Sequence, residues 1–198
     1  MMNNFDPFAE SASNFERELI PEGPHAARCV RLIEIGKQYS QLYGVEQDKV
    51  VVVFSIPGVT VEIKGEEKQK FISNPFGITM SNNDRSSMKQ YARALCPKGG
   101  SSLKDFLGKP CQIYVKHVTK NEKTNDRLGA VSPILPGIEV PPLDKEPFWF
   151  SWNNPDPDIW NQIPEFTQDM IKQATNYPGS YVEEMVNELE STGHSIEM

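Results

Sequence analysis

The chain is predicted to be mainly β, with one helical insertion and a helical, acidic C-terminal arm. Three features point there. Through residue 135, runs rich in β-branched and aromatic residues alternate with Pro/Gly turn clusters. At Asp84–Leu95 the apolar period switches from strand to helix spacing. From residue 136 onward, prolines, aromatics and carboxylates dominate. The order is three strands, a helix, then two strands. That is the layout of a five-stranded OB-like barrel with a helix between strands three and four.

Pro21-Glu22-Gly23-Pro24 is a turn cluster that precedes the first strand, His25–Ile35, and Gly36 ends that strand. Lys37–Asp48 is polar, with two tyrosines, and reads as a long loop or the start of the next strand. Lys49–Ile56 is the clearest strand, with four consecutive valines, and Pro57-Gly58 breaks it. Val59–Lys64 alternates, and Lys70–Met80 continues in extended form. Ser81, Asn82, Asn83 or Asp84 can cap the helix, whose apolar stripe is Met88, Tyr91, Ala92 and Leu95. A short helical turn follows at Ser102–Leu107. Pro110–Thr119 and Arg127–Ile134 are the last two strands, joined by a polar turn. Three short helices are expected at Asp158–Ile163, Glu165–Ala174 and Tyr181–Leu189. The expected divisions are a flexible arm at 1–20, the barrel at 21–135, an aromatic and helical arm at 136–178 that packs on it, and a mobile acidic tail at 179–198.

Charge is unevenly spread. The net formal charge of −7 divides into −3 over residues 1–20, +6 over 21–132 and −10 over 133–198. A basic module attracts polyanions, because neutralised phosphates release condensed counterions. An acidic tail on the same chain can compete for that surface or recruit basic partners. A merely solvated basic surface with a solubilising tail is the plain alternative.

Several function classes lack their signatures. There is no Gly-rich phosphate loop, no GxSxG and no HExxH. Cys111 and His117 share a strand face but lie roughly 20 Å apart at about 3.3 Å per residue, too far for a catalytic pair. Asp156 and Asp158 sit in a proline-flanked turn that explains them without a metal. No enzyme activity, cofactor or metal is expected. Cys29, Cys96 and Cys111 are odd in number and widely spaced, which suggests buried reduced thiols. No apolar run approaches the roughly 18 residues of a membrane span, and the N-terminus lacks signal-peptide character, so a cytoplasmic location is expected.

Sequence-independent capture of a single strand needs cations that track phosphates and aromatics on which bases stack. The candidates are Arg28 on strand one, with Lys37, Tyr39 and Tyr43 in the loop after it. Lys70, Phe71 and Phe76 lie on or near strand three. Lys116, His117, Lys120, Lys123 and Arg127 surround the last hairpin turn. In an OB-fold these two loops flank the binding face. Phe71 and Phe76 are as consistent with core packing as with stacking, and single lysines are usually surface. Glu183, Glu184, Glu188 and Glu190 of the tail are the expected contacts for replication or recombination proteins.

The segments PHAARCVRLIEIG, KVVVVFSIPG, SLKDFLGKPCQIYV and AVSPILPGIEVPP, then FWFSWNNPDPDIWNQIPEFTQDMIKQATNY, follow one another from Pro24 to Tyr177. In this order they resemble a family of phage and prophage single-stranded DNA-binding proteins encoded among replication and recombination genes. The resemblance implies an OB core and binding and protection of single-stranded DNA. A phage assembly module whose barrel packs in a homo-oligomer is the alternative.

Overall fold

The computed structural model describes residues 18–63 and 66–193. Its centre is a curled antiparallel sheet. Strands β1 (Gly23–Ser40), β2 (Val45–Ile63), β3 (Glu66–Ser73), β5 (Pro110–Lys120) and β6 (Lys123–Ser132) lie in the order β3-β2-β1-β5-β6. Two short strands add to it: β4 (Ile78–Thr79) pairs with β2, and β7 (Phe148–Phe150) runs parallel to β1. Helix α1 (Ser87–Leu95) falls between β4 and β5. The molecule is therefore mainly β, an OB-like half-barrel with helical additions, as the sequence predicts.

The strands are longer than expected. β1 runs through Gly36 and pairs with β2 up to Ser40↔Val45, so Lys37–Asp48 forms a hairpin tip: not a long loop, but with the start of the next strand in it, from Val45. The turn is closed by the Tyr43 and Gly44 amides, which donate to the Ser40 carbonyl. Gly36 sits in a register shift with a φ of +70°, and a Cβ there would meet the Trp152 ring at 2.4 Å. It is the seat of an aromatic and not the end of a strand. Pro57-Gly58 likewise produces an irregularity between Ser55 and Thr60 and does not end β2. Such bulges bend and coil long strands, which lets a five-strand sheet curl.

Successive strand residues face opposite sides. Val50 and Val52 therefore enter the inner core with Leu32, Phe54, Ile113 and Val115, which α1 closes through Tyr91 and Leu95. Val51 and Val53 face the other way with Ile33 and Ile35. There the C-terminal arm covers them with α2 (Pro157–Trp160), α3 (Glu165–Lys172) and α4 (Tyr181–Gly193). A run of four apolar residues is the signature of a strand buried on both faces. α1 is capped by Ser86, whose side chain accepts from the Lys89 amide, later than any cap expected from the sequence. Cys29 and Cys111 are buried free thiols and Cys96 is half-buried; burial pushes the Cys111 thiol up to about 12.

The N-terminal strap closes the open seam between β3 and β6. Ile20 is fully buried in the inner core. Its amide donates to the Asp126 carboxylate of β6 at 3.0 Å, and Lys70 of β3 donates to the Glu18 carbonyl. His117 bonds to the Ile20 carbonyl at 2.8 Å, and the Glu22 carboxylate accepts from the His117 amide. Residues 18–20 are thus fixed parts of the barrel; the rest of the expected N-terminal arm, 1–17, lies outside the described residues.

The acidic C-terminal segment is also more ordered than expected. Val182, Met185 and Val186 of α4 are buried against α2, α3 and the outer face of the sheet, with Leu189 partly so, whereas Tyr181 is exposed. Only residues 194–198 of the expected tail lie outside the described chain. Replacing Met185 by Ala should cost about 2–5 kcal/mol, the usual range for emptying a buried methionine site. Urea denaturation measures it; a cost below about 0.5 kcal/mol would mean that α4 is not part of the core.

Candidate nucleic-acid interface

The fold takes up some of the cations singled out in the sequence and leaves others free. Arg28 donates to the carbonyls of Gly108, Val140 and Pro141 at 2.6–2.7 Å and ties the extended linker to β1. Lys70 is buried and reaches the strap, as does His117. These three side chains hold the protein together and are not free to meet a ligand. Strand parity accounts for two of them: Lys70 faces inward with Ile72, and His117 with Val115.

The β5–β6 hairpin is different. Its register sets Lys116 opposite Arg127 and Lys120 opposite Lys123. Like charges directly opposite each other across a ladder are destabilising. All four are exposed, and none has an ion-pair partner among the described residues. The two-residue turn has Asn121 and Glu122 at positive φ, 50° and 62°, the geometry of a tight hairpin. At the β1–β2 tip, Tyr39, Leu42, Tyr43 and Val45 are all exposed, and Lys37 pairs with Asp48 at 3.5 Å.

These two tips are not one cluster. Val115 pairs with Gly23 at the start of β1, whereas Tyr39 lies near its end, about 50 Å away along the strand at ~3.3 Å per residue. Arg31 lies midway between them on β1. The register builds a row across four strands on the outer face: Phe148, Arg31, Val53, Ser73. The Arg31 guanidinium lies 4.8 Å from the Phe71 ring centre and 5.4 Å from that of Phe148. Its side chain makes no hydrogen bond or ion pair among the described residues. Burial lowers its pKa from the usual arginine value. Phe71 is 41 % exposed. Phe76, 60 % exposed, meets Phe166 of α3, 53 % exposed, edge-on at 6.0 Å. A cation held against aromatic faces with its N–H donors unused suits an anionic, flat-ringed ligand.

Phe71 and Phe76, expected from the sequence, are thus both exposed, the first beside Arg31 and the second against Phe166. Their partners Arg31, Phe148 and Phe166 are what sequence reasoning misses. The signal for Arg31 is its parity: it shares a face with Ile33 and Ile35, a lone cation on an otherwise apolar stripe. Of the acidic candidates, Glu190 pairs with Lys172 at 3.1 Å and Glu183 accepts from the Gly179 amide at 2.6 Å; Glu184 and Glu188 are exposed on α4. A larger cavity, about 760 Å³, lies beside α1, but its Arg93 is already paired with Asp84.

No protein-family model matches the chain, and no curated protein matches it. Among the described residues no helix is long and apolar enough to cross a membrane.

The division between structural and free cations has a direct test. Arg28→Ala should destabilise the protein by about 1.5–3 kcal/mol, the range for charge-assisted hydrogen bonds. Lys116→Ala, Lys120→Ala and Lys123→Ala should each stay within about 0.5 kcal/mol of the parent or stabilise it slightly. Denaturation midpoints of the four variants decide it; equal costs would erase the distinction.

Proposed function

We propose that the protein binds single-stranded DNA with little sequence preference and without catalysis, and protects and organises it in phage replication or recombination. The observation that carries this reading is Arg31, a half-buried guanidinium held against Phe71 and Phe148 with no protein acceptor among the described residues. Exposed aromatics beside a cation are what unpaired bases and their phosphates require. The like-charged β5–β6 hairpin supplies further phosphate contacts, and Tyr39 and Tyr43 further stacking surface. The order of sequence segments that resembles phage single-stranded DNA-binding proteins supports the same reading. Glu184 and Glu188 on α4 are the carboxylates left to contact a basic replication or recombination protein. The apolar β1–β2 tip favours a second reading, an assembly module that packs through Leu42 and Val45 with no nucleic acid.

Anisotropy of fluorescent oligonucleotides separates the two. A single strand should bind far more tightly than the same sequence as duplex, since stacking contributes about 1–3 kcal/mol per unpaired base. The variant Lys116→Ala/Lys120→Ala/Arg127→Ala should bind more weakly. Its plot of log affinity against log salt should flatten by about 2, at ~0.7 for each phosphate left without its cation. Equal affinity for duplex and single strand would remove the stacking account. An unchanged salt slope in the folded triple variant would place the phosphates elsewhere.

A further inference from the structure

Between the β2–β3 surface and the start of α3 is a cleft of about 250 Å³. Its apolar walls are formed by residues that include Val51, Val53, Phe71, Pro75 and Pro164, and its polar groups are Arg31, Ser73 and Thr167. We infer that this cleft receives one unstacked base of a bound single strand, with Arg31 at its mouth holding the adjoining phosphate. This rests on the proposed DNA-binding function and gives it a defined subsite.

Three observations carry the inference. The cleft lies somewhat below the ~300–1,000 Å³ typical of drug-sized ligands, which suits one ring system and not a stacked dinucleotide. Phenylalanine and proline faces offer a base the same contact that its neighbours in the strand give up when it turns out. The Arg31 guanidinium packs against two rings, so its N–H edges remain for an acceptor outside the protein. A fork of donors matches phosphate oxygens bidentately. A paired base cannot enter, so the cleft itself would select single strands. Pro164 and Thr167 come from the C-terminal arm, which makes that arm part of the binding face and not only a cover for the sheet.

Ser73 stands in the same row as Arg31, two strands away, and its side chain makes no hydrogen bond among the described residues. Ser73→Leu should fill the cleft without removing a cation. Wild type and variant are titrated with labelled dT20 and with a 20-mer of abasic sites, which keeps the phosphates but has no bases. Ser73→Leu should weaken dT20 binding about five- to 150-fold, the equivalent of one base stack of about 1–3 kcal/mol, and barely alter binding of the abasic strand. Should Ser73→Leu fail to fold, wild type crosslinked by light to 5-iodouracil-substituted dT20 gives the same answer: the crosslinked peptide should contain Phe71. Undiminished binding of dT20 by folded Ser73→Leu, or crosslinks confined to the hairpin tips, would overturn the subsite while DNA binding stands. Competition by dTMP as strong as by dT20 would also overturn it, making the cleft a mononucleotide site. If wild type binds neither oligonucleotide, it is the proposed function itself that falls.

Discussion

Val50 to Val53 are consecutive and all buried, alternately against the barrel interior and against the C-terminal arm. This double burial of the β1–β2 ribbon is the constraint on which the rest of the molecule depends. A strand with one solvated face could curl into a small barrel and stop. Here the outer face is also apolar, at Ile33, Ile35, Val51 and Val53, and must be covered. The arm covers it by adding β7 alongside β1 and laying Phe150, Trp160, Ile171 and α4 across the ribbon. Its docking is fixed by polar contacts: Glu34 accepts from the Trp149 indole and the Trp152 amide, and Asn176 accepts from the Lys37 amide.

The candidate site is a by-product of where that cover ends. The arm reaches across β1 and β2 but leaves Phe71, on β3, partly exposed, and the row from Phe148 to Ser73 crosses this margin. Arg31 sits on the margin, packed by rings on the protein side, with its donors turned to no protein acceptor among the described residues. Elsewhere in the barrel the strap at Glu18–Glu22 fills the gap between β3 and β6 through hydrogen bonds with Lys70, Asp126 and His117. On β3 and β5 the inward-facing Lys70 and His117 thus stabilise the barrel, whereas the outward-facing Lys116 and Lys120 are left to solvent.

Much of this is legible in the sequence, and for identifiable reasons. Strand identity and order follow from β-branched runs and a single switch of period. The free cations of the last hairpin follow from a polar turn flanked by lysines. Long-range contacts are not legible. Nothing near Arg28 in the chain announces that residues 108, 140 and 141 converge on it, and Gly36 looks like a terminator until Trp152 is seen to rest there. The acidic count of residues 179–198 conceals Val182, Met185, Val186 and Leu189, a helical stripe at the spacing of a buried face. Phe148 and Phe166 do not stand out as site residues, because their nearness to Arg31 and Phe76 depends on how the arm docks.

If a single strand meets the protein at the Arg31 patch, the arginine Nε–Hε resonances of ¹⁵N-labelled protein report on it directly, with Arg31→Lys assigning the signal. On addition of dT20, the Arg31 resonance should shift and sharpen as its donors acquire phosphate acceptors, while that of Arg28, already bonded to three carbonyls, should stay in place. An Arg31 resonance unmoved at saturating dT20, with shifts only at the hairpin tips, would contradict the account.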